Sequence, residues 1–137
     1  MIELIEFLQD ELLLSGTLFA LIILLIVNIY SEKFKKYEIV DTNAAVTLMD
    51  DDLIILDVRE EKERSTGFID SDLNIPMGQV KSKLDSLDNS KKILVYCKSG
   101  TRSDRTADLL CKNEFQNVYS LKGGFNAWQK AELPIKK

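Results

Sequence analysis

Apolar and acidic positions alternate from Met1 to Glu11, and the chain then runs without a charge from Leu12 to Tyr30. Nineteen uncharged residues at about 1.5 Å each make roughly 28 Å of helix, close to the ~30 Å hydrocarbon core of a bilayer. Thirteen of them are Leu, Ile, Phe or Val, each favouring insertion by about 0.3–0.6 kcal/mol near the bilayer centre. Ser15, Gly16, Thr17 and Asn28 weaken that sum without reversing it. A core helix of a small domain would show a polar face, and this one shows none. A cleaved signal peptide needs a basic start and a small-residue cleavage site, whereas here the start is acidic and Ser31-Glu32-Lys33 follows the span. The pattern predicts a retained transmembrane helix over 12–30, preceded by a short acidic tail, residues 1–11, that extends it.

Beyond a basic linker at 31–37 the pattern changes to short apolar runs separated by helical stretches, and a second domain is expected over 38–137. Tyr37–Val40 reads as a short strand, and Asp41 or Thr42 as the cap of a helix to about Met49. Leu53–Leu56 and Ile93–Tyr96 are continuous apolar runs, the mark of strands buried on both faces. Leu73–Ile75 is a weaker strand ending at Pro76, followed by a polar helix through Leu84 and Leu87. A helix is expected from about Ser103 to Asn113, a last strand over Val118–Leu121, and a short helix around Trp128. Strand alternating with helix is the signature of a parallel sheet. The fold class predicted is α/β, a parallel five-stranded sheet flanked by helices and preceded by one transmembrane helix. Sites in such sheets form at the carboxyl ends of strands. Asp57-Val58-Arg59 and the stretch from Cys97 to Arg102 occupy two such ends.

Charge alters this picture in one respect. The chain has 18 Lys and Arg against 22 Asp and Glu, and four of those acids, Glu3, Glu6, Asp10 and Glu11, lie in the first eleven residues, where there is no basic residue. The body is therefore balanced, and no basic surplus argues for nucleic acid. Lys33, Lys35 and Lys36 follow the span, so the positive-inside rule places the C-terminal domain in the cytoplasm, as a single-pass protein of the inner (cell) membrane. The chain has no histidine, which removes Ser-His-Asp triads, Cys-His pairs and the common zinc sites; no metal is expected. Two cysteines are too few for a disulfide framework.

Cys97 carries the chemistry. It follows a buried strand and shortly precedes a helix N-terminus, where backbone N–H groups and the helix dipole favour negative charge. Lys98 and Arg102 add cations, and all three effects favour the thiolate, which is the nucleophile. Gly100 permits the tight curl that turns successive N–H groups inward as an anion nest. A buried structural cysteine would explain Cys97 alone, but not the glycine and two cations on one short loop.

Cys97-x-x-Gly100-x-Arg102-Ser103 resembles the active-site loop of the rhodanese family of sulfurtransferases. Asp57-Val58-Arg59 with Glu63, Gly67 and Ile69 resembles the family's D-V-R-x-x-x-E-x-x-x-G-H-I segment, and Asn74-Ile75-Pro76 its N-I-P. Leu121-x-Gly123-Gly124-x-x-Ala127-Trp128 resembles the terminal L-x-G-G-x-x-A-W, so the resemblance runs from about residue 38 to 134. Departures stand at Phe68, where the family has His, at Arg64, where it has an aromatic, and at Ser71-Asp72, where it has Gly-Ala. The resemblance implies a persulfide cycle on Cys97 with no cofactor. Backbone N–H groups of Lys98, Ser99, Gly100, Thr101, Arg102 and Ser103 would hold the terminal sulfur, with Arg102 steadying its charge. The implied partners are a small anionic sulfur donor such as thiosulfate and a thiol or protein sulfur acceptor.

A Cys-x5-Arg phosphatase is the nearest rival chemistry. The spacing here is Cys-x4-Arg, and the shorter loop makes a smaller cradle, suited to one sulfur atom rather than a tetrahedral phosphate. A non-catalytic binding module tethered to a membrane is a rival of another class. Of the remaining residues, Asp57 and Arg59 read as supports of the site, and Cys111, with Ala107 and Leu110, as a core stripe. Arg105 reads as solvent-facing, and Asp50-Asp51-Asp52 as a solvated turn.

Overall fold

The computed structural model describes every residue except Phe34, Lys35 and Asp51, and of residues 31–33 the backbone alone. The Lys33 side chain, Lys35 and Asp51, invoked above, lie outside the described residues. The chain divides into two compact units, Met1–Lys35 and Lys36–Lys137.

The first unit is one helix, α1 (Ile2–Lys33). The helix spans the acidic start as well as the uncharged stretch, and the apolar segment Ile2–Tyr30 is long enough to cross a membrane. Two of its hydroxyls are served from within. Ser15 Oγ donates to the Leu12 carbonyl at 3.2 Å and Thr17 Oγ1 to the Leu14 carbonyl at 2.8 Å. A helix in hydrocarbon must satisfy its polar groups internally, and these do so without a partner helix.

The second unit is a five-stranded parallel sheet in the order β1-β5-β4-β2-β3. The strands are β1 (Glu38–Val40), β2 (Leu53–Asp57), β3 (Leu73–Asn74), β4 (Lys92–Tyr96) and β5 (Val118–Leu121). β4 lies at the centre, and its side chains alternate between two cores as strand geometry requires. Ile93, Val95 and Cys97 join Leu56, Val80, Ala107, Leu110 and Phe115 on one face. Leu94 and Tyr96 join Val40, Ala45, Leu121, Phe125 and Trp128 on the other.

Helices cover both faces. α2 (Thr42–Leu48) starts where Asp41 accepts a hydrogen bond from the Ala44 amide at 2.8 Å. The polar stretch after Pro76 is not one helix but two short pieces. A single turn, α3 (Met77–Val80), runs into a 3-10 segment, Lys81–Ser86, in which Lys83 leaves helical geometry. α4 (Thr101–Lys112) buries Ser103, Thr106, Ala107, Leu110 and Cys111, a stripe at the three-to-four spacing that lays one helix face on the sheet. It begins two residues before the expected Ser103, directly after Gly100 at φ 109°. α5 (Gly124–Lys130) closes the chain and buries Phe125 and Trp128. A further 3-10 segment, Glu61–Thr66, follows β2. Its polar sequence carries no periodicity that would have announced it.

Candidate active site

β2 and β4 pair with Asp57 opposite Tyr96, so the segments that leave their carboxyl ends start side by side. Cys97 is the first residue past β4 and is 1% exposed. The chain then curls so that two amides face the sulfur. Gly100 N–H donates to Cys97 Sγ at 3.0 Å and Ser103 N–H at 3.4 Å. Ser103 Oγ lies 3.7 Å from the same sulfur. Amides aimed at one atom at a helix N-terminus are donors matched to negative charge on that atom.

The last helix supports the loop from behind. The amides of Phe125 and Asn126 donate to the carbonyls of Cys97 (2.7 Å) and Lys98 (3.0 Å). The loop carbonyls are thus turned away from the sulfur and its amides are left facing it. Lys98, Ser99 and Thr101 are exposed at the rim.

Arg102 is clamped by a carboxylate beside the loop. Its two terminal nitrogens each donate to Glu63, Nη1 to Oε2 and Nη2 to Oε1, both at 2.7 Å. The Arg102 hydrogen bonds, helped by the Glu60 amide and opposed by desolvation, hold the Glu63 carboxyl down to about 2. Glu63 thus matches the Arg102 charge and fixes its orientation, and Arg102 also feels the charge of Cys97.

Asp57 and Arg59 sit behind this pair, both fully buried. Asp57 accepts from the Arg59 amide at 2.9 Å and from Arg59 Nη2 at 2.8 Å. Arg59 also donates to the Gly67 carbonyl at 2.9 Å, with its guanidinium 4.3 Å from the Phe125 ring centre. Burial would lower the Arg59 pKa, but the Asp57 carboxylate outweighs it and the net shift is upward. The buckle organises the 3-10 segment that presents Glu63 to Arg102. Asp57 and Arg59 therefore reach the thiol loop through Glu63 rather than by touching the sulfur.

Three of the positions where the sequence departs from the rhodanese pattern, Arg64, Phe68 and Asp72, prove to be neighbours. Arg64 pairs with Asp72 at 2.6 and 2.9 Å and with Asp57 at 2.7 Å, and its guanidinium lies 4.2 Å from the Phe68 ring centre. Asp72 also accepts the Tyr96 hydroxyl. Hydrogen bonding to Asp72 raises the Arg64 pKa, and burial followed by Asp72 raises that of Tyr96. Arg64, Phe68 and Asp72 share one cluster, so these three departures supply partners for one another.

Other candidates fall outside the site. Cys111 is buried in the core, and burial raises its thiol pKa. Arg105 is exposed. Asp50 pairs with Lys92 at 3.3 Å on the surface, and no group of acids poised to hold a metal occurs among the described residues. Glu63, Arg64, Asp72, Asp104 and Ser120 were given no role from sequence. For Ser120 the available signal was a hydroxyl in an apolar strand.

Comparison with known proteins agrees with this arrangement. The profile described as Rhodanese-like domain matches residues 41–131, and the chain belongs to that family. It is 39% identical over 74 residues to YqhL of Bacillus subtilis (strain 168), spanning 54% of this chain and 59% of that protein. It is 35% identical over 78 residues to the thiosulfate sulfurtransferase GlpE of Coxiella burnetii (strain RSA 331), covering 57% of this chain and 73% of the relative. Among solved structures, a rhodanese-related protein from Thermoplasma volcanium superposes with a TM-score of 0.68 at 27% identity, covering 73% of this chain and 98% of that one.

Proposed function

We propose that this rhodanese-like protein is a thiosulfate-type sulfurtransferase that carries sulfur as a persulfide on Cys97 and passes it to a thiol acceptor at a membrane surface. The observation that carries the reading is the buried Cys97 Sγ with the amides of Gly100 and Ser103 directed at it. A relative at 35% identity named thiosulfate sulfurtransferase supports the choice of donor.

In the first half-reaction the Cys97 thiolate attacks the outer sulfur of thiosulfate. The new S–S bond forms as the S–S bond to the sulfonate sulfur breaks, and sulfite leaves with the bonding pair. The terminal sulfur of Cys97–S–S⁻ then lies among the amides of residues 98–103. In the second half-reaction an acceptor thiolate attacks that terminal sulfur, and Cys97 leaves as a thiolate. No metal, cofactor or general base enters either step. Arg102, clamped to Glu63, keeps the loop in shape, and exposed Lys98 draws an anionic donor to the rim.

Residues 12–30 span the membrane in this reading, with the C-terminal domain in the cytoplasm. Tethering raises the local concentration of a membrane-bound sulfur partner. The decisive experiment uses the full chain, reduced and in detergent micelles. After thiosulfate, intact mass reports a one-sulfur adduct, cyanide releases it as thiocyanate, and Cys97→Ser abolishes both. If neither thiosulfate nor another sulfane donor leaves an adduct, the sulfurtransferase reading is lost and a tethered binding module takes its place.

A further inference from the structure

Two fully buried hydroxyls lie in line behind the thiol: Ser103 on the first turn of α4 and Ser120 on β5. Strand alternation turns Ser120 to the same face as Val118, toward α4. A hydroxyl there costs stability unless it is bonded. Ser120 Oγ lies 3.0 Å from Ser103 Oγ and 2.6 Å from Asp104 Oδ1. With Ser103 Oγ 3.7 Å from Cys97 Sγ, an unbroken line of polar atoms joins the buried sulfur to a half-buried carboxylate.

We infer that this line is a proton relay, in which Asp104 receives the proton that Cys97 gives up when its thiolate forms. The inference rests on the reading of Cys97 as the nucleophile. Three hydrogens serve four groups. In the thiol state Cys97 S–H donates to Ser103 Oγ, Ser103 O–H to Ser120 Oγ, and Ser120 O–H to the Asp104 carboxylate. The Gly100 carbonyl, 2.9 Å from Ser103 Oγ, is a second acceptor for the Ser103 hydrogen. Moving each hydrogen one link along breaks the S–H bond and leaves a thiolate, two intact hydroxyls and a carboxylic acid. Every hydrogen bond of the line survives with its direction reversed. Asp104, which is half-buried, then releases the proton to water.

The other charged groups stand beside the line rather than in it. Cys97 faces Arg102, itself paired with Glu63, while Lys98 is exposed at the rim. Asp104 shares its surroundings with Asp108 one turn on and with Tyr37 ahead of β1. α3, which packs on α4, brings no ionisable side chain.

The test is a coupling measurement on the full chain in micelles. Iodoacetamide alkylation of Cys97, read by peptide mass spectrometry across pH of about 5 to 10, gives the midpoint of thiolate formation. Asn at position 104 accepts no proton and donates an N–H to Ser120, turning the hydroxyls toward the sulfur. Asp104→Asn is therefore expected to lower the midpoint. In a Ser120→Ala background the line is cut, and the same substitution is expected to change the thiolate fraction at least about threefold less. Equal shifts in both backgrounds would mean a through-space charge effect and would overturn the relay, as would no shift in either. Ser120→Thr keeps the hydroxyl and is expected to keep the coupling. If Ser120→Ala does not fold, Ser103→Ala cuts the same line with the same expectation. Alkylation needs no sulfur donor, so loss of sulfur transfer with the coupling intact refutes the function and spares the relay.

Discussion

The Cys97 carbonyl accepts a hydrogen bond from the amide of Phe125 at 2.7 Å, and the residue that allows this approach is Gly124. A Cβ at Gly124 would collide with the Cys97 oxygen and stand 2.7 Å from the carbonyl carbon and oxygen of Lys98, all backbone atoms. Gly124 also holds φ 58°, where a side chain is strained. Gly124→Ala is expected to push the thiol loop off its amides. Sulfur transfer should fall at least about tenfold, since small misplacements near reacting atoms cost about that or more. A thiocyanate assay beside a thermal melt separates loss of geometry from loss of fold.

The ionic cluster around Arg64 gives a swap experiment. Arg64→Tyr alone restores the family's aromatic but leaves Asp72 without its cation and Asp57 with one fewer. Removing one partner from buried pairs of this kind costs about 3–5 kcal/mol. Adding Asp72→Ala removes the stranded carboxylate, and denaturant titration should show a large part of that loss recovered. Simple additivity of the two changes would refute the idea that the departures compensate one another.

Ser71 occupies φ 63°, a left-handed conformation, where the family has glycine. It is exposed, and no hydrogen bond of its side chain is at stake. Ser71→Gly should relieve strain on the order of 1 kcal/mol and raise the melting temperature by a few degrees. An unchanged melt would mean the turn bears no strain.

Acid should loosen the thiol loop through Glu63. Its folded pKa is about 2 against an ordinary value of 4.5. A depressed carboxyl stabilises the native state fully above the ordinary value, and that contribution fades as pH falls through the folded one. Stability from the Glu63–Arg102 pair is therefore present at neutral pH and lost between about 4.5 and 2. Glu63→Gln should be less stable than the wild type near neutrality and should converge on it at the acid end of that window. A melting-temperature difference independent of pH would contradict the assignment.

Much of the sheet could be read directly. Leu53–Leu56 and Ile93–Tyr96 lie in strands that pack on both faces, and burial on both faces writes itself as uninterrupted apolar sequence. Cys97 and Gly100 were visible because their loop brings unlike residue types together over six positions. The partner of Arg102 was not visible. Glu63 lies 39 residues away in a polar stretch whose 3-10 form depends on contacts with Arg59. The role of Ser120 was hidden for the same reason, since its meaning comes from Asp104 on another element. The break at Lys83 also escaped notice, because a run of polar helix formers reads the same whether or not it kinks.

The order of the strands bears on how the protein is made. β1, the first strand synthesised, has one neighbour in the sheet, and that neighbour is β5, the last. Until residue 121 has been added, Glu38–Val40 has no partner. Until residue 126 has been added, the carbonyls of Cys97 and Lys98 lack the amides that turn them outward. Such long-range pairings form late, and a domain of this kind folds as a unit. The nascent chain therefore carries Cys97 for some time as an ordinary cysteine, and the loop around it takes its shape only once α5 has been made.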